Sequence, residues 1–345
     1  MAQTQSAGPG TSAHIAVLAG KDDLPKPASA DVTGAEQPEM AHAHDHDHTT
    51  SRAMRLANLL VIVTPFLGLI AAVVMLWGAP WYWLYAGLFF AMYMVTGFGI
   101  TVGFHRYFTH KSFDANPVMK FILGVSGSMA VQGPILFWVA THRGHHQHSD
   151  GEEDPHSPHA YGGGFVGILK GAFHAQCGWL LKGKTRADIK RYAPDLQRDK
   201  MVVWMSKMFP VWVLLGIVGP GVIAYFVTGT WVGGVLGMLW GGLARVCFVH
   251  HVTWSVNSIC HLWGTRAFES HDESRNNAIV GVLGLGEGWH NNHHAFPASA
   301  RHGLRWWEFD ASYVLIRGMK ALGLVKAIRV PSTERIEAKR RKPAA

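Results

Sequence analysis

Four long runs of apolar residues, separated by shorter polar segments, dominate the hydrophobic pattern from residue 56 onward. Each run is long enough to cross a bilayer, since about 20 helical residues span the hydrocarbon core. They form two pairs, and each pair is joined by a short uncharged turn, at 78–80 and at 228–230. The four runs are residues 56–77, 81–104, 201–227 and 231–252. This pattern predicts an all-α membrane protein with four transmembrane helices.

A fifth apolar stretch, residues 119–139, is interrupted by a Gln-Gly-Pro sequence at 132–134 and is predicted to be interfacial or re-entrant. With four spans, all the histidine-rich segments reach one side of the membrane, whereas a fifth crossing would separate them. Two arginines precede the first span, and residues 339–342 read Lys-Arg-Arg-Lys. Because cytoplasmic segments carry an excess of Lys and Arg, we expect both termini in the cytoplasm, with a cytoplasmic helical cap that carries the histidines.

The two ends of the chain differ from its apolar middle. Residues 1–50 are rich in Ala, Gly, Pro, Asp and His without apolar periodicity, which predicts a disordered tail. The alternating histidines from His42 to His48 are interpreted as part of this solvated tail, with only incidental metal affinity. Residues 51–330 are predicted to form the integral-membrane domain and residues 331–345 a basic C-terminal tail.

Composition supports a membrane protein and singles out histidine. Hydrophobic residues make up 48% of the chain and charged residues 16%, against roughly a quarter charged in soluble domains. The formal charge of +8 comes from Lys and Arg between the apolar runs and near the C-terminus, a distribution typical of membrane topology rather than nucleic-acid binding. Three cysteines without a CxxC pair argue against a disulfide framework or a Cys metal site. Histidine, with 22 residues, is the outlier.

Four groups of polar side chains lie at the predicted inner ends of the spans, and nine of their members are histidines. The groups are His105 and His110; His142, His145 and His146; Asn257 and His261; and His290, His293 and His294. Helical residues three or four positions apart share a face, so the second and fourth groups each point three imidazoles in one direction, and Asn257 shares a face with His261. His105 and His110 diverge by about 140° on an ideal helix, which predicts that the helix ends or unwinds between them.

A single histidine of this kind is usually a buried or capping residue, but nine together, six of them in two H-x-x-H-H sequences, need a common cause. Imidazole is a ligand suited to Fe, Zn, Cu or Ni. Catalytic zinc usually takes three protein ligands, and no H-E-x-x-H sequence is present. Nine neutral donors indicate two metal ions, and iron is the choice if oxygen is to be activated.

These motifs resemble the membrane fatty acyl-CoA desaturases of the stearoyl-CoA desaturase group, from about residue 85 to residue 325. Besides the histidines, the resemblance includes the Gln-Gly-Pro sequence, Trp138, Asp-Pro-His at 154–156 and Gly-Glu-Gly-Trp at 286–289. His-His-Val-Thr-Trp at 250–254 and Ala-Arg-His-Gly at 300–303 are most similar to the bacterial branch, which implies the cytoplasmic membrane of a bacterium.

The resemblance implies an O2-dependent desaturase that inserts a cis double bond, at the delta-9 position, into a saturated long-chain acyl-CoA such as stearoyl-CoA. In that family nine histidines bind two iron ions, and an asparagine contacts the centre through water. Matched by position, the nine histidines above are the ligands and Asn257 is the water-mediated contact. Five other histidines fall outside the matched positions and are predicted not to be ligands: His148, His156, His250, His251 and His302.

The family also implies roles for side chains beyond the ligands. Trp138, Thr253 and Trp254 match residues that line the bend of the substrate tunnel. Glu287 stands three positions before His290, where it is expected either to orient an imidazole or to cap a helix.

The acyl carrier is where the chain departs from the family. Animal members carry an Arg-Asp pair, thought to contact coenzyme A, where this chain has Ala140 and Thr141. An acyl-lipid substrate therefore stays open beside acyl-CoA. A basic stretch after the second histidine group is predicted to meet either coenzyme A phosphates or anionic lipid headgroups. It comprises Lys182, Lys184, Arg186, Lys190 and Arg191.

Two other functions share part of this pattern. A membrane diiron hydroxylase or ketolase uses similar histidine groups, but the Asn257–His261 element and the sequence at 286–289 favour a desaturase. A metal transporter would use the histidine-rich N-terminal tail. Transport needs polar groups at the membrane midplane, and the predicted spans contain almost none.

Desaturation needs two electrons per turnover from another protein. The sequence shows no flavin or nicotinamide fold, no haem motif of the His-Pro-Gly-Gly type and too few cysteines for a four-thiolate cluster. We therefore expect a separate reductase and ferredoxin-type donor on the cytoplasmic face. Arg106, Arg143 and residues 339–342 are predicted to offer a basic surface to an acidic donor, although residues 339–342 would equally be drawn to a membrane surface.

Overall fold

A computed structural model describes residues 52–78, 80–182 and 188–341. Its described part is almost entirely helical, and four helices are long and apolar enough to cross a membrane. They are Arg52–Leu76, Tyr82–Thr109, Phe209–Thr228 and Trp231–Leu262. The prediction of an all-α membrane protein with four spans is confirmed. The predicted N-terminal tail and its histidines lie outside the described residues.

The third span is shorter than predicted because a separate helix precedes it. Helix α8 (Lys200–Lys207) is followed by α9 (Phe209–Thr228), with Pro210 in the first turn of α9. Proline has no backbone N–H and disfavours helical geometry in the residue before it, so it starts a new helix more easily than it continues an old one. The side chain of Asp199 caps α8 by accepting a hydrogen bond from the Met201 backbone N–H at 3.1 Å.

The second and fourth spans each contain a widened, π-helical section. Helix α2 (Tyr82–Phe98) continues as a π-helix over Gly99–Thr109, and α10 (Trp231–Gly237) continues through Met238–Ala244 into α11 (Arg245–Leu262). In a π-helix the backbone N–H bonds to the carbonyl five residues earlier. The bond from His110 N to His105 O is 3.1 Å long, and the two rings lie 4.8 Å apart. The helix thus widens where it was predicted to end or unwind, which turns residues five apart toward each other.

The stretch at 119–139 forms two short helices, α3 (Pro117–Ser128) and α4 (Ile135–His148). Between them Val131 (φ 63°) and Gly133 (φ 98°) have left-handed backbone geometry, which ends one helix before the next begins. Two buried side chains of α11 hold this break. Arg245 donates to the Met129 carbonyl at 2.8 Å, and His250 Nε2 lies 2.9 Å from the Ala130 carbonyl oxygen.

The remaining described elements form a cap. Its helices before the third span are α5 (Gly164–Gln176), α6 (Ile189–Tyr192) and α7 (Pro194–Gln197), with a short 3₁₀-helix at Gly178–Leu180. Those after the fourth span are α12 (Ala278–Leu283), α13 (His290–Ala295), α14 (Ala311–Ala321) and α15 (Thr333–Lys339). Two short antiparallel strands, β1 (Asp114–Ala115) and β2 (Val325–Lys326), connect the two parts.

The segment predicted as a basic C-terminal tail packs against the cap as far as the structure describes it. Helix α15 begins at Thr333, and its Lys339 Nζ donates to the Ala295 carbonyl at 2.7 Å. The Arg341 backbone N–H donates to the Ala267 carbonyl at 3.0 Å. These bonds attach the chain beside α13, which carries the fourth histidine group.

Candidate metal centre

The fold brings all nine predicted histidines together in two groups, each with its ligand nitrogens within 4.8 Å of one another. The five-histidine group comprises His105, His110, His142, His146 and His293. The four-histidine group comprises His145, His261, His290 and His294. Helix α4 contributes to both groups, as does α13, so these two helices bring the groups side by side.

The Nε2 atoms of several rings face one another at distances that suit metal binding. In the five-histidine group, His293 Nε2 lies 2.9 Å from His146 Nε2 and 3.1 Å from His105 Nε2. In the other group, His290 and His261 approach at 3.1 Å through the same atoms. Two imidazoles at right angles on one metal ion, with bonds of about 2.1 Å, place their nitrogens about 3.0 Å apart.

Among the nine predicted ligands, three further Nε2 atoms are buried without a hydrogen-bond partner in the described part of the chain; outside the nine, the same holds for His302. The three belong to His110, His145 and His294. An unpaired buried nitrogen costs about 1–3 kcal/mol, so three beside one cluster need an explanation. Metal ions bound at the Nε2 atoms would satisfy them. The residues present therefore fit a metal centre, and the cluster is able to hold metal.

Four carboxylates stand behind the imidazoles, on the Nδ1 side. His105 Nδ1 lies 2.6 Å from Glu287. His145 Nδ1 lies 3.0 Å from Asp154, His261 Nδ1 lies 2.9 Å from Asp150, and His294 Nδ1 is hydrogen-bonded to Asp272. A carboxylate at Nδ1 keeps the proton on that nitrogen, so that the lone pair of Nε2 is free for metal. Only Glu287 was singled out from the sequence, and its contact is with His105 rather than with the nearby His290.

Burial favours the unprotonated form of six of the nine rings. It lowers the pKa of His146 and His293 well below the usual value, and neighbouring imidazoles lower it further. The unprotonated ring is the form that binds metal. For His145, burial lowers the pKa, but attraction to Asp154 outweighs burial and raises it. For Asp154, burial alone would raise the pKa, but attraction to the His145 and His156 rings outweighs burial and holds the pKa well below its usual range. The carboxylate therefore remains ionised.

A largely apolar cavity of about 360 Å³ reaches the cluster at His142. Trp138, Trp254 and Asn257 line it. Met54, Ala57 and Asn58, in the first turns of the helix Arg52–Leu76, also line the cavity, and Met54 is 48% exposed. The structure thus places two of the three predicted tunnel residues, and the predicted water-mediated contact, on one cavity beside the imidazoles.

The third predicted tunnel residue, Thr253, does not line this cavity but contacts Gln132, which does. The Thr253 hydroxyl accepts a hydrogen bond from Gln132 Nε2 at 2.9 Å, and the carbonyl of the same Gln132 side chain accepts one from Trp138 Nε1 at 3.2 Å. Gln132, itself a lining residue, therefore helps to fix the orientation of the Trp138 ring.

The comparison with known families agrees with this geometry. The family model described as fatty acid desaturase matches residues 80–323, a range that contains all nine histidines and the cavity residues from Val131 to Asn257. The chain belongs to the fatty acid desaturase family. This desaturase is therefore an oxidoreductase, and its four spans fit a membrane protein.

Curated relatives of the desaturase differ in the carrier that their names state. The hex-5-enoyl-[acyl-carrier protein] acetylenase of Moorena producens is 42% identical over 280 residues, 81% of this chain and 87% of that protein. The sn-1 stearoyl-lipid 9-desaturase of Synechocystis is 39% identical over 252 residues, 72% of this chain and 73% of that protein. The acyl-CoA C20 delta5-desaturase of Anemone leveillei is 37% identical over 247 residues, 70% of this chain and 73% of that protein.

The prediction that Arg106 and Arg143 form a basic surface is wrong. Arg106 is fully buried in the desaturase and binds the carboxylates of Glu287 at 3.1 Å and Asp310 at 2.9 Å. Arg143 donates to Asp195 at 2.7 Å and to the Thr109 carbonyl at 3.0 Å. Their charges are used inside the protein, where they connect helices that carry the ligands. The Lys339 ammonium is likewise bound to a backbone carbonyl.

The five histidines predicted not to be ligands have other contacts. His302 Nδ1 lies 3.3 Å from Glu287, and His156 Nδ1 lies 3.2 Å from Asp154, so both share a carboxylate with a ring of the cluster. His148 Nε2 contacts the Tyr192 hydroxyl, and His251 Nδ1 contacts Gln176 Nε2. His250 supports the break between α3 and α4. None of these five belongs to the five-histidine or four-histidine group.

Replacing Trp138 should change where the desaturase acts on its substrate. The change Trp138→Ala removes an indole from the cavity wall next to His142, so the acyl chain of the substrate can slide past its normal position. We expect up to about 100-fold lower activity, the effect of roughly 1 Å of misplacement. The residual product should contain double bonds at several positions, resolved by mass spectrometry of derivatised products. Trp77→Ala, at a tryptophan that is 92% exposed, is the matched control; a single unchanged product from Trp138→Ala would contradict the tunnel assignment.

Proposed function

We propose that this chain is an O2-dependent diiron desaturase that inserts a cis double bond at the delta-9 position of a saturated long-chain acyl group. The observation that carries the proposal is the convergence of nine imidazoles, in two groups, at the end of a cavity shaped by Trp138 and Trp254. The relative named as a stearoyl-lipid 9-desaturase supports the delta-9 position.

The five-histidine and four-histidine groups would each hold one iron, with Asn257 in contact through water. When bound, the irons would supply the oxidising chemistry that removes two hydrogen atoms from adjacent methylenes; these two hydrogens, one O2, two external electrons and two protons together give two water molecules. The side chains contribute position and exclusion of water. The four carboxylates hold the Nδ1 protons of their histidines, and the apolar cavity wall keeps the acyl chain dry and fixes which methylenes lie next to His142.

We further propose a lipid-bound acyl group as the substrate, ahead of the acyl-CoA that the sequence suggested. Ala140, which stands where animal members have the arginine of their Arg-Asp pair, is buried and cannot meet a carrier in solvent. Its neighbour Thr141 lines the cavity and donates to the Phe137 carbonyl at 3.0 Å. In the predicted basic stretch, Lys184 and Arg186 lie outside the described residues, and Lys182 packs over the Tyr161 ring at 4.4 Å. The two more similar of the three relatives named above are named for carriers other than coenzyme A.

The sidedness of the centre is also a proposal. The C-terminal ends of the second and fourth spans meet in the cluster through His105 and His261, as two return crossings require. Together with the arginines before the first span, this favours a centre on the cytoplasmic side of a bacterial cytoplasmic membrane.

The carrier can be tested with one labelled stearoyl chain offered in three forms to protein reconstituted with a reductase and a ferredoxin. The forms are stearoyl-CoA, stearoyl-acyl-carrier protein and a phosphatidylglycerol with stearate at sn-1. We expect labelled oleoyl product on the lipid at early times. Early product on coenzyme A, with none on lipid, would restore the acyl-CoA assignment.

A further inference from the structure

The four carboxylates behind the imidazoles are divided unequally between the two histidine groups. In the four-histidine group, three of the four rings have an aspartate at Nδ1, as described above for Asp154, Asp150 and Asp272. In the five-histidine group, only His105 has a carboxylate contact among the described residues, and that carboxylate belongs to Glu287.

The charges of these carboxylates are also balanced differently. Glu287 faces the buried guanidinium of Arg106 at 3.1 Å, which offsets its negative charge. In the part of the chain that the structure describes, none of the three aspartates has a Lys or Arg partner. Three negative charges therefore surround the four-histidine group, and a bound cation is the group that would compensate them.

Burial strengthens this difference. All four residues of the four-histidine group are buried, whereas His110, His142 and His146 of the other group are partly exposed, although the Nε2 atom of His110 is itself buried. Electrostatic attraction is screened much less in a buried site than in one near solvent. A hydrogen bond from Nδ1 to a carboxylate also raises the basicity of the ring as a ligand. Basicity, charge and burial therefore all favour tighter binding at the four-histidine group.

We propose that the two groups hold metal unequally: the four-histidine group binds its ion tightly, and the five-histidine group binds an ion that exchanges with solvent. This rests on the proposed diiron function and adds an order to it. The four-histidine group fills first and empties last, and the protein passes through a state with one ion per chain. Removing a carboxylate from behind a metal-bound histidine weakens binding about 10- to 100-fold, so single substitutions should move one ion and not the other.

The test uses full-length protein loaded anaerobically with Fe(II) and then exposed to an excess of a coloured Fe(II) chelator. We expect two phases of release, each of one ion per chain, with the slow phase at least about 10-fold slower. Asp272→Asn and, independently, Asp154→Asn should speed the slow phase about 10- to 100-fold and leave the fast phase unchanged. Glu287→Gln should speed the fast phase and leave the slow phase unchanged. Asp199→Asn, which removes a carboxylate bound to Lys120 rather than to an imidazole, should change neither phase.

The outcomes separate this inference from the function on which it rests. Two ions released in a single phase, or an Asp272→Asn protein that loses only its fast ion sooner, would overturn the inequality and leave the diiron proposal standing. Wild-type protein that binds no iron would overturn both. The wild-type release curve decides the main point even if one variant does not fold, which circular dichroism and size-exclusion chromatography would reveal.

Discussion

Protein with the change His293→Ala should form no detectable unsaturated product and should lose iron from the five-histidine group. His293 Nε2 lies within 3.1 Å of both the His105 and the His146 nitrogens, so its ring stands at the middle of that group. Loss of a ligand should exceed the 10- to 100-fold effect of losing a supporting carboxylate. His145→Ala should have the same effect on activity through the four-histidine group. Product yield and iron content per chain, measured on the same preparation, check both variants.

The control for these variants is the same substitution at a histidine outside both groups. His251→Ala removes a ring that contacts Gln176, and we expect it to leave iron content and activity near those of the wild type. Changes at His44 and His46, which lie outside the described residues, should also have little effect. Full activity of either ligand variant would contradict the assignment of its group. A loss of activity supports the assignment only if the variant inserts normally into the membrane.

Purified protein given NADPH, O2 and substrate alone should be inactive, and a reductase–ferredoxin pair should restore turnover. The three cysteines are free and buried, and three thiolates cannot hold a four-thiolate cluster. We therefore expect the electrons to arrive from another protein. The assay compares product with and without the donor pair at equal protein concentration, with His293→Ala protein as the blank. Turnover by the pure chain with NADPH as sole reductant would contradict this expectation.

The structure changes the expected character of donor docking. The half-buried rings His110, His142 and His146 are the part of the cluster nearest to solvent, which favours electron entry there. Lys111 stands beside His110 and is more than half exposed, but its ammonium pairs with Asp195 at 2.7 Å. Since Arg106 and Arg143 are also paired, electrostatic steering by these three residues should be weak.

The spans and the grouping of the histidines were predictable because both depend on residues close together in the sequence. Runs of apolar residues identify spans by length, and H-x-x-H-H places three imidazoles on one face of any helix. The meeting of His105 and His110 was not predictable from an ideal helical period. It depends on a π-helix beside α3, where Gly99 has no side chain and a Cβ would approach the Gly127 backbone nitrogen to 2.2 Å.

The supporting carboxylates were missed because their partners are distant in the chain. Asp150 binds His261 across 111 positions, and no local spacing reveals such a pair. The burial of Arg106 was missed for the same reason, since Asp310 lies 204 positions away. An arginine is expected at the surface unless it is paired, and the partner is visible only once the chain is folded. Asp154, nine residues after His145, was the one aspartate close enough to suggest its role.

The most direct test of the account is lipid analysis of a desaturase-deficient bacterial host that expresses this chain. We expect a new cis-monounsaturated fatty acid with its double bond at carbon 9, located by mass spectrometry of derivatised fatty acids, and no such product from the His145→Ala variant. Accumulation of hydroxylated or oxidised chains without a double bond would instead indicate the hydroxylase or ketolase alternative and contradict the proposed reaction.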